Sequence, residues 1–391
     1  GRSTMPPMAL ALVHHAGYDF ELPEFGRPGS AARGSLHEFD GARASRALAL
    51  FEAQRAARRA PIPLLVPTPA TRAELERVHH AAYLDELEDP ARRAATCAEL
   101  MDLPAAAGAA PELLEASYLA PMRLATGGTL AAVRWLLDSA LEPQRSDRAE
   151  DAPRPGLVTP IAINLSGGYH HAGPERGGGF CAYNDLALAA ELAVREYGTR
   201  RVLCVDLDAH QGDGTARCFA ELDARFAGAG AAAPRLELLD LFNGSIWPGD
   251  RAARELATWS HALPDGTGGA AYLDLLDEAL AAAFSAGDPP DLVLYNAGSD
   301  VLAGDPLGRL ELSLEDVAER DRRVLAAARV AGVAGAPPLA VASGGYTEDS
   351  HRALASLLLA AATMTEQPWA EATPGSTKDP HARPWNRPDR P

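Results

Sequence analysis

Asp206-Leu207-Asp208-Ala209-His210-Gln211-Gly212-Asp213-Gly214 is the stretch on which the reading of the fold turns. It follows a four-residue apolar run, Val202-Leu203-Cys204-Val205, and the spacing predicts a strand over 202–208. Asp206, Asp208 and His210 stand at i, i+2 and i+4, so on an extended backbone they project to one side. Burying two carboxylates and an imidazole together costs several kcal/mol unless a cation or partner compensates. Glycines at 212 and 214 allow a sharp turn directly afterwards. The stretch predicts a metal site at the carboxyl end of a strand.

Outward from it, strands and helices alternate. On the N-terminal side lie a strand over 158–165, a glycine-rich loop and a helix over 184–196. On the C-terminal side follow a helix over 215–226, a strand over 236–241, a helix over 270–286 and a strand over 291–297. A helix over 313–331, a strand over 339–343 and a helix over 349–362 complete the series. Farther upstream the pattern predicts strands at 8–13 and 62–66 and helices at 41–59 and 71–78, the second opened by a Thr71-to-Glu74 capping pattern. One or two helices over 111–137 should break at Pro121. Residues 142–155 read as a surface loop, 227–234 as an exposed insertion and 365–391 as a Pro-rich tail; residues 1–5 read as a cloning scar and start methionine.

Such alternation predicts a mostly parallel sheet with helices on both faces. Ligands of such sheets bind beyond the carboxyl ends of the strands. The residues that carry chemistry all follow strand ends: His170 and His171, then Asp208 and His210, then Asp300, then Tyr346. Four strands thus converge on one edge and one site.

Composition narrows the function. The 391 residues carry 53 acids against 36 bases, a net charge of −17, and Lys378 is the only lysine. An acidic chain without a basic block is a poor binder of nucleic-acid backbones. No apolar run approaches the roughly 18 residues of a membrane span. Cys97, Cys181, Cys204 and Cys218 form no CxxC pair, which predicts free thiols and a reducing cytoplasm. Gly177-Gly178-Gly179-Phe180 lacks the Lys-Ser/Thr of a P-loop, no GxGxxG opens a helix, and no GxSxG elbow occurs.

A hydrolytic zinc takes three protein ligands and keeps a position open. Asp208 and His210 supply two, and Asp300, in Asn296-Ala297-Gly298-Ser299-Asp300, fits as the third. Each acid alone reads equally well as a helix cap; as a set on one edge they read as ligands. Metal-assisted hydrolysis also needs a base and an acid. His170-His171, flanked by glycines on both sides, fits that need, whereas the pairs His14-His15 and His79-His80 read as surface residues. Asp206 and Asp213 are placed to orient the two imidazoles. Tyr346, after Ser343-Gly344-Gly345, can donate to an oxyanion.

Five motifs in this order resemble the zinc-dependent histone deacetylases, and most of all class IV of that family: Gly167-Gly-Tyr-His-His-Ala172, Arg176-Gly-Gly-Gly-Phe-Cys-Ala-Tyr-Asn-Asp185, Asp206–Gly214, Tyr295-Asn-Ala-Gly-Ser-Asp300 and Ser343–Tyr346. The resemblance spans residues 9–359 and implies a single arginase-like α/β domain, over 6–364, with an eight-stranded mostly parallel sheet. It implies Zn2+ on Asp208, His210 and Asp300; His171 with Asp213 as the main acid/base; His170 with Asp206 as electrostatic partner; and Tyr346 polarising the acyl carbonyl. A structural monovalent cation, K+, would lie on oxygens of Asp206, Asp208, His210, Asp240 and Leu241. The acyl tunnel would be walled by Gly179, Phe180 and Trp247 with Leu307 at its rim; ordinary core packing explains those apolar residues equally well.

His37-Glu-Phe-Asp40 resembles the class IV version of the first active-site loop, and loop 102–121 does not align. The implied activity is removal of acyl groups from Nε-acyl-lysine in a protein or peptide by metal-activated water. Class IV adds tolerance for long fatty acyl chains, and hydroxamates are the expected inhibitors. A small acylated amine such as an acetylpolyamine is the alternative substrate, and a non-catalytic acyl-lysine reader the alternative from another class.

Overall fold

In the computed structural model the described residues are 9–19, 40–55, 62–145, 159–228, 233–330 and 336–366. The strands are β1 (Leu10–Val13), β2 (Leu64–Leu65), β3 (Ile161–Asn164), β4 (Arg201–Asp206), β5 (Arg235–Asn243), β6 (Trp259–Leu263), β7 (Leu292–Asn296) and β8 (Pro338–Val341). They form one eight-stranded sheet in the order β2-β1-β3-β8-β7-β4-β5-β6. Every pairing is parallel. The expectation of an α/β sheet with its carboxyl ends on one edge holds.

The apolar runs explain the layering. In β4, Leu203 and Val205 join one buried cluster while Val202 and Cys204 join another; in β7, Val293 and Tyr295 alternate in the same way with Leu292 and Leu294. A period of two therefore sends consecutive side chains to opposite faces, and both faces are covered. On one face pack α1 (Arg43–Gln54), α10 (Gly269–Ser285), α11 (Leu314–Val330) and α12 (Ser350–Glu366). On the other pack α6 (Ala120–Arg145), α7 (Asp185–Tyr197), α8 (Asp213–Phe226) and α9 (Arg251–Leu256). Short helices α2 (Arg72–Leu75), α3 (Ala81–Glu88), α4 (Pro90–Leu100) and α5 (Pro111–Leu114) extend that second layer.

Local signals account for most helix ends. Thr71 and Glu74 form the expected reciprocal capping box on α2. The Asn184 side chain caps α7 at one end, and Gly198 closes the other in a left-handed conformation.

Four expectations need correction. Pro121 does not break its helix: a π turn over Glu115–Leu119 runs directly into α6, with the Ala120 N–H bonded to the Glu115 carbonyl. The widened turn accommodates a residue that has no N–H to give. Helix α6 also continues to Arg145, into the stretch read as a loop. The edge strand β6 was not anticipated, because Trp259–Leu263 is mostly half-exposed and shows no apolar alternation. Finally, His79 is no surface residue: it is buried, with Nδ1 2.9 Å from the Gly173 carbonyl and Nε2 accepting the Asn184 N–H at 2.9 Å. His80 and His15 are exposed, and His14 is half-buried. Residues His37–Phe39, the start of the 158–165 strand, most of 142–155, the middle of the 227–234 insertion and the tail from 367 lie outside the described residues. All four cysteines are free and buried. No described helix is long and apolar enough to cross a membrane.

Candidate active site

The loops after β3, β8, β7 and β4 meet because those four strands are neighbours in the sheet. Strand β4 ends at Asp206, so Asp208 and His210 do not continue an extended row as the spacing suggested. The chain turns there instead. The Asp206 carboxylate faces His170, and the His210 N–H folds back onto Asp208 Oδ1 at 2.9 Å. Asp300 arrives from the loop after β7. His210 Nδ1 then lies 3.2 Å from Asp208 Oδ1 and 3.0 Å from Asp300 Oδ2.

One ligand atom from each of Asp208, His210 and Asp300 lies within 4.8 Å of the others, so the three could hold a metal ion. The remaining oxygens are spoken for. Asp208 Oδ2 accepts from the Gly344 N–H at 2.9 Å and the Ser343 hydroxyl at 2.8 Å, and Asp300 Oδ1 accepts from the Ala209 N–H at 2.8 Å. Two buried carboxylates and an imidazole aimed at one point fit Zn2+ with coordination positions left open. Gly298 and Gly344 make the close approach possible. A Cβ on either would stand 2.4 Å from a carboxylate oxygen of Asp208 or Asp300, respectively.

The two histidines differ in environment. His170 Nδ1 lies 2.8 Å from Asp206 Oδ2, and His171 Nδ1 lies 2.7 Å from Asp213 Oδ1. Their rings are 4.1 Å apart. Burial opposes charge on His170, but the carboxylates of Asp206 and Asp208 outweigh it and push its pKa up to about 10. Burial and the neighbouring His170 charge pull His171 down to about 4 despite Asp213. The surroundings thus push the two imidazoles in opposite directions, the split that acid–base work requires. Tyr346 lines the same chamber; burial, then Asp300 and Asp208, raise its hydroxyl well above the usual range and keep it protonated.

A cleft of about 560 Å3 lined by Trp247, Leu307, Gly179 and Phe180 leads inward to an inner chamber of about 90 Å3. The four residues expected to wall a tunnel are therefore together. His171, His210, Gly179 and Phe180 line both spaces and mark the neck. Trp247 is half-exposed and packs edge-on against His171, ring centres 4.7 Å apart. Gly179 has a positive φ, and a Cβ there would meet the His171 ring at 2.3 Å, so only glycine fits. Away from this neck, Asp240 stands opposite Asp206 in the β4–β5 register, next to Leu241. Its Oδ2 accepts from the Gly212 N–H at 3.1 Å, while its buried Oδ1 has no hydrogen-bond partner.

Residues 37–362 match the histone deacetylase domain family. The chain belongs to the histone deacetylase family. It is 34% identical over 292 residues to Histone deacetylase 2 of Arabidopsis thaliana, a match that covers 75% of this chain and 65% of the plant protein. It is also 29% identical over 303 residues to Acetylpolyamine amidohydrolase 1 of Pseudomonas aeruginosa, covering 73% of this chain and 82% of the relative. Among solved structures, the HDA15 HD domain superposes with a TM-score of 0.63 at 22% identity, over 91% of this chain and 90% of that one. A histone deacetylase homologue from Aquifex aeolicus superposes with a TM-score of 0.61 at 20% identity, over 91% and 84%. These likenesses bear out the fold.

Several residues that support this deacetylase-family site were not singled out from sequence. Arg320 in α11 is buried and donates to the carbonyls of Leu207 at 3.1 Å and Gly298 at 2.6 Å, bracing both loops that carry Asp208 and Asp300. Asp305 accepts from the Leu307 and Gly308 N–H groups, each at 3.0 Å, and from the Tyr346 N–H at 2.9 Å. Asp185 accepts from the Gly168 N–H at 3.0 Å and the Tyr169 N–H at 2.8 Å. Arg43, at the start of α1, donates to the carbonyls of Ser343 and Gly344. Arg43 and Arg320 lie in helices where nothing local marks them. Asp185 belongs to a stretch that carried the family resemblance, but the backbone it holds is some sixteen residues away; Asp305 ties its own turn to Tyr346, about forty residues on.

Proposed function

We propose that the chain is a zinc-dependent amide hydrolase that removes acyl groups from the Nε of lysine in proteins or peptides. One observation carries this reading: Asp208, His210 and Asp300 converge beside two His–Asp pairs at the neck of a single tunnel. When bound, zinc supplies a Lewis acid that polarises the acyl carbonyl and acidifies water.

The chain's own residues do the rest. His171, fixed through Nδ1 by Asp213, offers its other nitrogen to the proton of the attacking water. The same proton passes to the amine nitrogen as the C–N bond breaks, and the acid's remaining proton passes to the amine, leaving a carboxylate and an ammonium. His170, paired with Asp206, sets the potential beside it. The Tyr346 hydroxyl donates to the acyl oxygen as that oxygen gains charge. Phe180 and Trp247 flank the lysine stem, with Gly179 and Leu307 completing the wall. The unpartnered Asp240 carboxylate oxygen, beside Asp206, supports a K+ ion among oxygens of Asp206, Asp208, His210, Asp240 and Leu241. Hydroxamates are the inhibitor class that suits this donor set.

A second reading keeps the chemistry and changes the amine. Glu86, Glu99, Asp102 and Asp213 line the outer cleft against one arginine, Arg176, a balance that also suits a cationic acylpolyamine. Steady-state kinetics of zinc-loaded protein on acetyl-lysine peptides and on acetylspermidine separate the two. A higher kcat/KM on the peptide is expected, with a loss of roughly 10²–10⁴-fold in His171→Ala. No turnover of either amide, or an unaffected His171→Ala, would end the hydrolase reading.

A further inference from the structure

Gln211 is the one polar side chain of Asp206–Gly214 that neither the metal ligands nor the two His–Asp pairs account for. It follows His210 directly, is buried, and lines neither the chamber nor the outer cleft. A buried amide must find partners for both its ends. Gln211 finds them on the main chain of one residue: Nε2 donates to the Asp250 carbonyl at 2.8 Å, and Oε1 accepts the Asp250 N–H at 2.9 Å. Two such bonds fix the direction of the backbone they clasp as well as its position.

Asp250 ends the loop over 244–250, which carries Trp247. The other end hangs on Asn243, the last residue of β5. Its N–H donates to the Ala209 carbonyl at 2.9 Å, and its side-chain oxygen accepts from the Ser245 N–H at 2.9 Å. Ala209 and Gln211 are the two chain neighbours of His210, so one short segment holds both ends of the Trp247 loop. Between those ends Trp247 crosses the neck. Its ring centre lies 4.7 Å from that of His171, and a Cβ on Gly179 would stand 2.7 Å from its Cζ3.

Much of the loop faces water: Ser245, Trp247 and Gly249 are exposed, while Ile246 leans on the core beneath. The Asp250 carboxylate is engaged on the neighbouring helices, accepting from the Ala253 N–H at 3.1 Å and pairing with Arg217. The Asp250 carbonyl is shared with the Arg254 N–H at 3.1 Å, which starts the α9 ladder. Those contacts hold the helix start; the N–H that faces the loop is held by Gln211.

We infer that Gln211 is a positioning residue for the tunnel wall: by clasping the Asp250 backbone it seats Trp247 across the neck against His171. The grip on the stem of the acylated amine then depends on a side chain outside the tunnel. The kinetic part of this inference rests on the amide-hydrolase reading above; the seating of Trp247 does not.

The test compares wild type with Gln211→Met, which keeps the length of the side chain and loses both bonds, and with Gln211→Ala. Each protein is labelled with 5-fluorotryptophan, giving a 19F resonance for each of the five tryptophans. The resonance of Trp247 is the one missing from Trp247→Phe. In both Gln211 variants it should shift or broaden while the others stay in place, which also reports an intact fold.

Each bond is worth roughly 2–12-fold, so the pair shifts the seating equilibrium by roughly 5–150-fold. On an acetyl-lysine peptide KM should rise at least about fivefold with kcat little changed, because a wall binds ground and transition states alike. Trp247→Ala should lose at least as much. The double variant of Gln211→Met with Trp247→Ala should lose no more than Trp247→Ala alone, since both changes act through one ring. Zinc affinity, by competition with a chromophoric chelator, should stay within about twofold of wild type.

An unmoved Trp247 resonance overturns the inference. So do losses that multiply in the double variant, or a fall in zinc affinity that matches the kinetic loss, which would place the effect of Gln211 at His210. Failure of the functional reading looks different: no amide is cleaved by any of the proteins, and a Trp247 resonance displaced by Gln211→Met still upholds the seating.

Discussion

His79 offers a measurement of how the helical layer above the sheet holds the loop between β3 and α7. Its Nε2 accepts a backbone N–H from Asn184 and its Nδ1 faces the Gly173 carbonyl, so the ring is a neutral tautomer with the proton on Nδ1. Those partners bracket residues 174–183, the segment that follows His170 and His171 and carries Gly179 and Phe180. Burial pulls the His79 pKa down from 6.5 to about 4, the Gly173 bond opposing. A folded-state pKa below the unfolded value means the unfolded chain takes the proton first. The stabilisation is therefore complete above pH ~6.5 and is lost as pH falls towards ~4. The full difference corresponds to about 3 kcal/mol, of which about 2 kcal/mol is gone by pH ~5.

Urea unfolding of wild type and His79→Gln, both stripped of metal by chelator, isolates this contribution, since every other titrating group is shared. At pH 7.5 the variant should be less stable by about 1–3 kcal/mol, because a buried N–H or carbonyl loses its partner. The gap should shrink by about 2 kcal/mol on lowering the pH to 5. Parallel stability curves for the two proteins across that range would refute a neutral, doubly bonded His79.

Two further outcomes follow from the site. Tyr346→Phe should lower kcat on an acetyl-lysine peptide by roughly 10²–10³-fold with KM little changed, since the hydroxyl serves the developing oxyanion; equal losses from kcat and binding would count against that role. Gly344→Ala should weaken zinc binding at least about tenfold, measured by competition with a chromophoric chelator, because its Cβ would stand 2.4 Å from Asp300 Oδ2 and 2.6 Å from Asp208 Oδ2. Wild-type zinc affinity in that variant would show that the loop yields without disturbing the ligands.

Much of the fold was legible because its signals are local. Val202–Val205 declares a strand by composition alone, and Thr71 with Glu74 declares a helix start by reciprocal bonding over three residues. The chemistry-bearing residues were found for a related reason: parallel strands put their carboxyl ends on one edge whatever the order of pairing. Where the signal was not local the reading failed. Pro121 forbids an ordinary helix, but the π turn before it depends on a packed helical layer. His79 looked like half of an exposed pair until Gly173 and Asn184 came to meet it.

The sequence by itself determined which residue types could bind a metal and move a proton, and that they would follow successive strands. Only the tertiary structure decided their division of labour. Strand β4 stops at Asp206, so the evenly spaced Asp206, Asp208 and His210 separate, one acid turning to His170 and the other two residues turning to Asp300. It also decided in which direction each imidazole is pushed, because that depends on burial and on carboxylates some forty residues away in sequence. Spacing along a chain sets what can face one way; the end of a strand and the charges around it set what does.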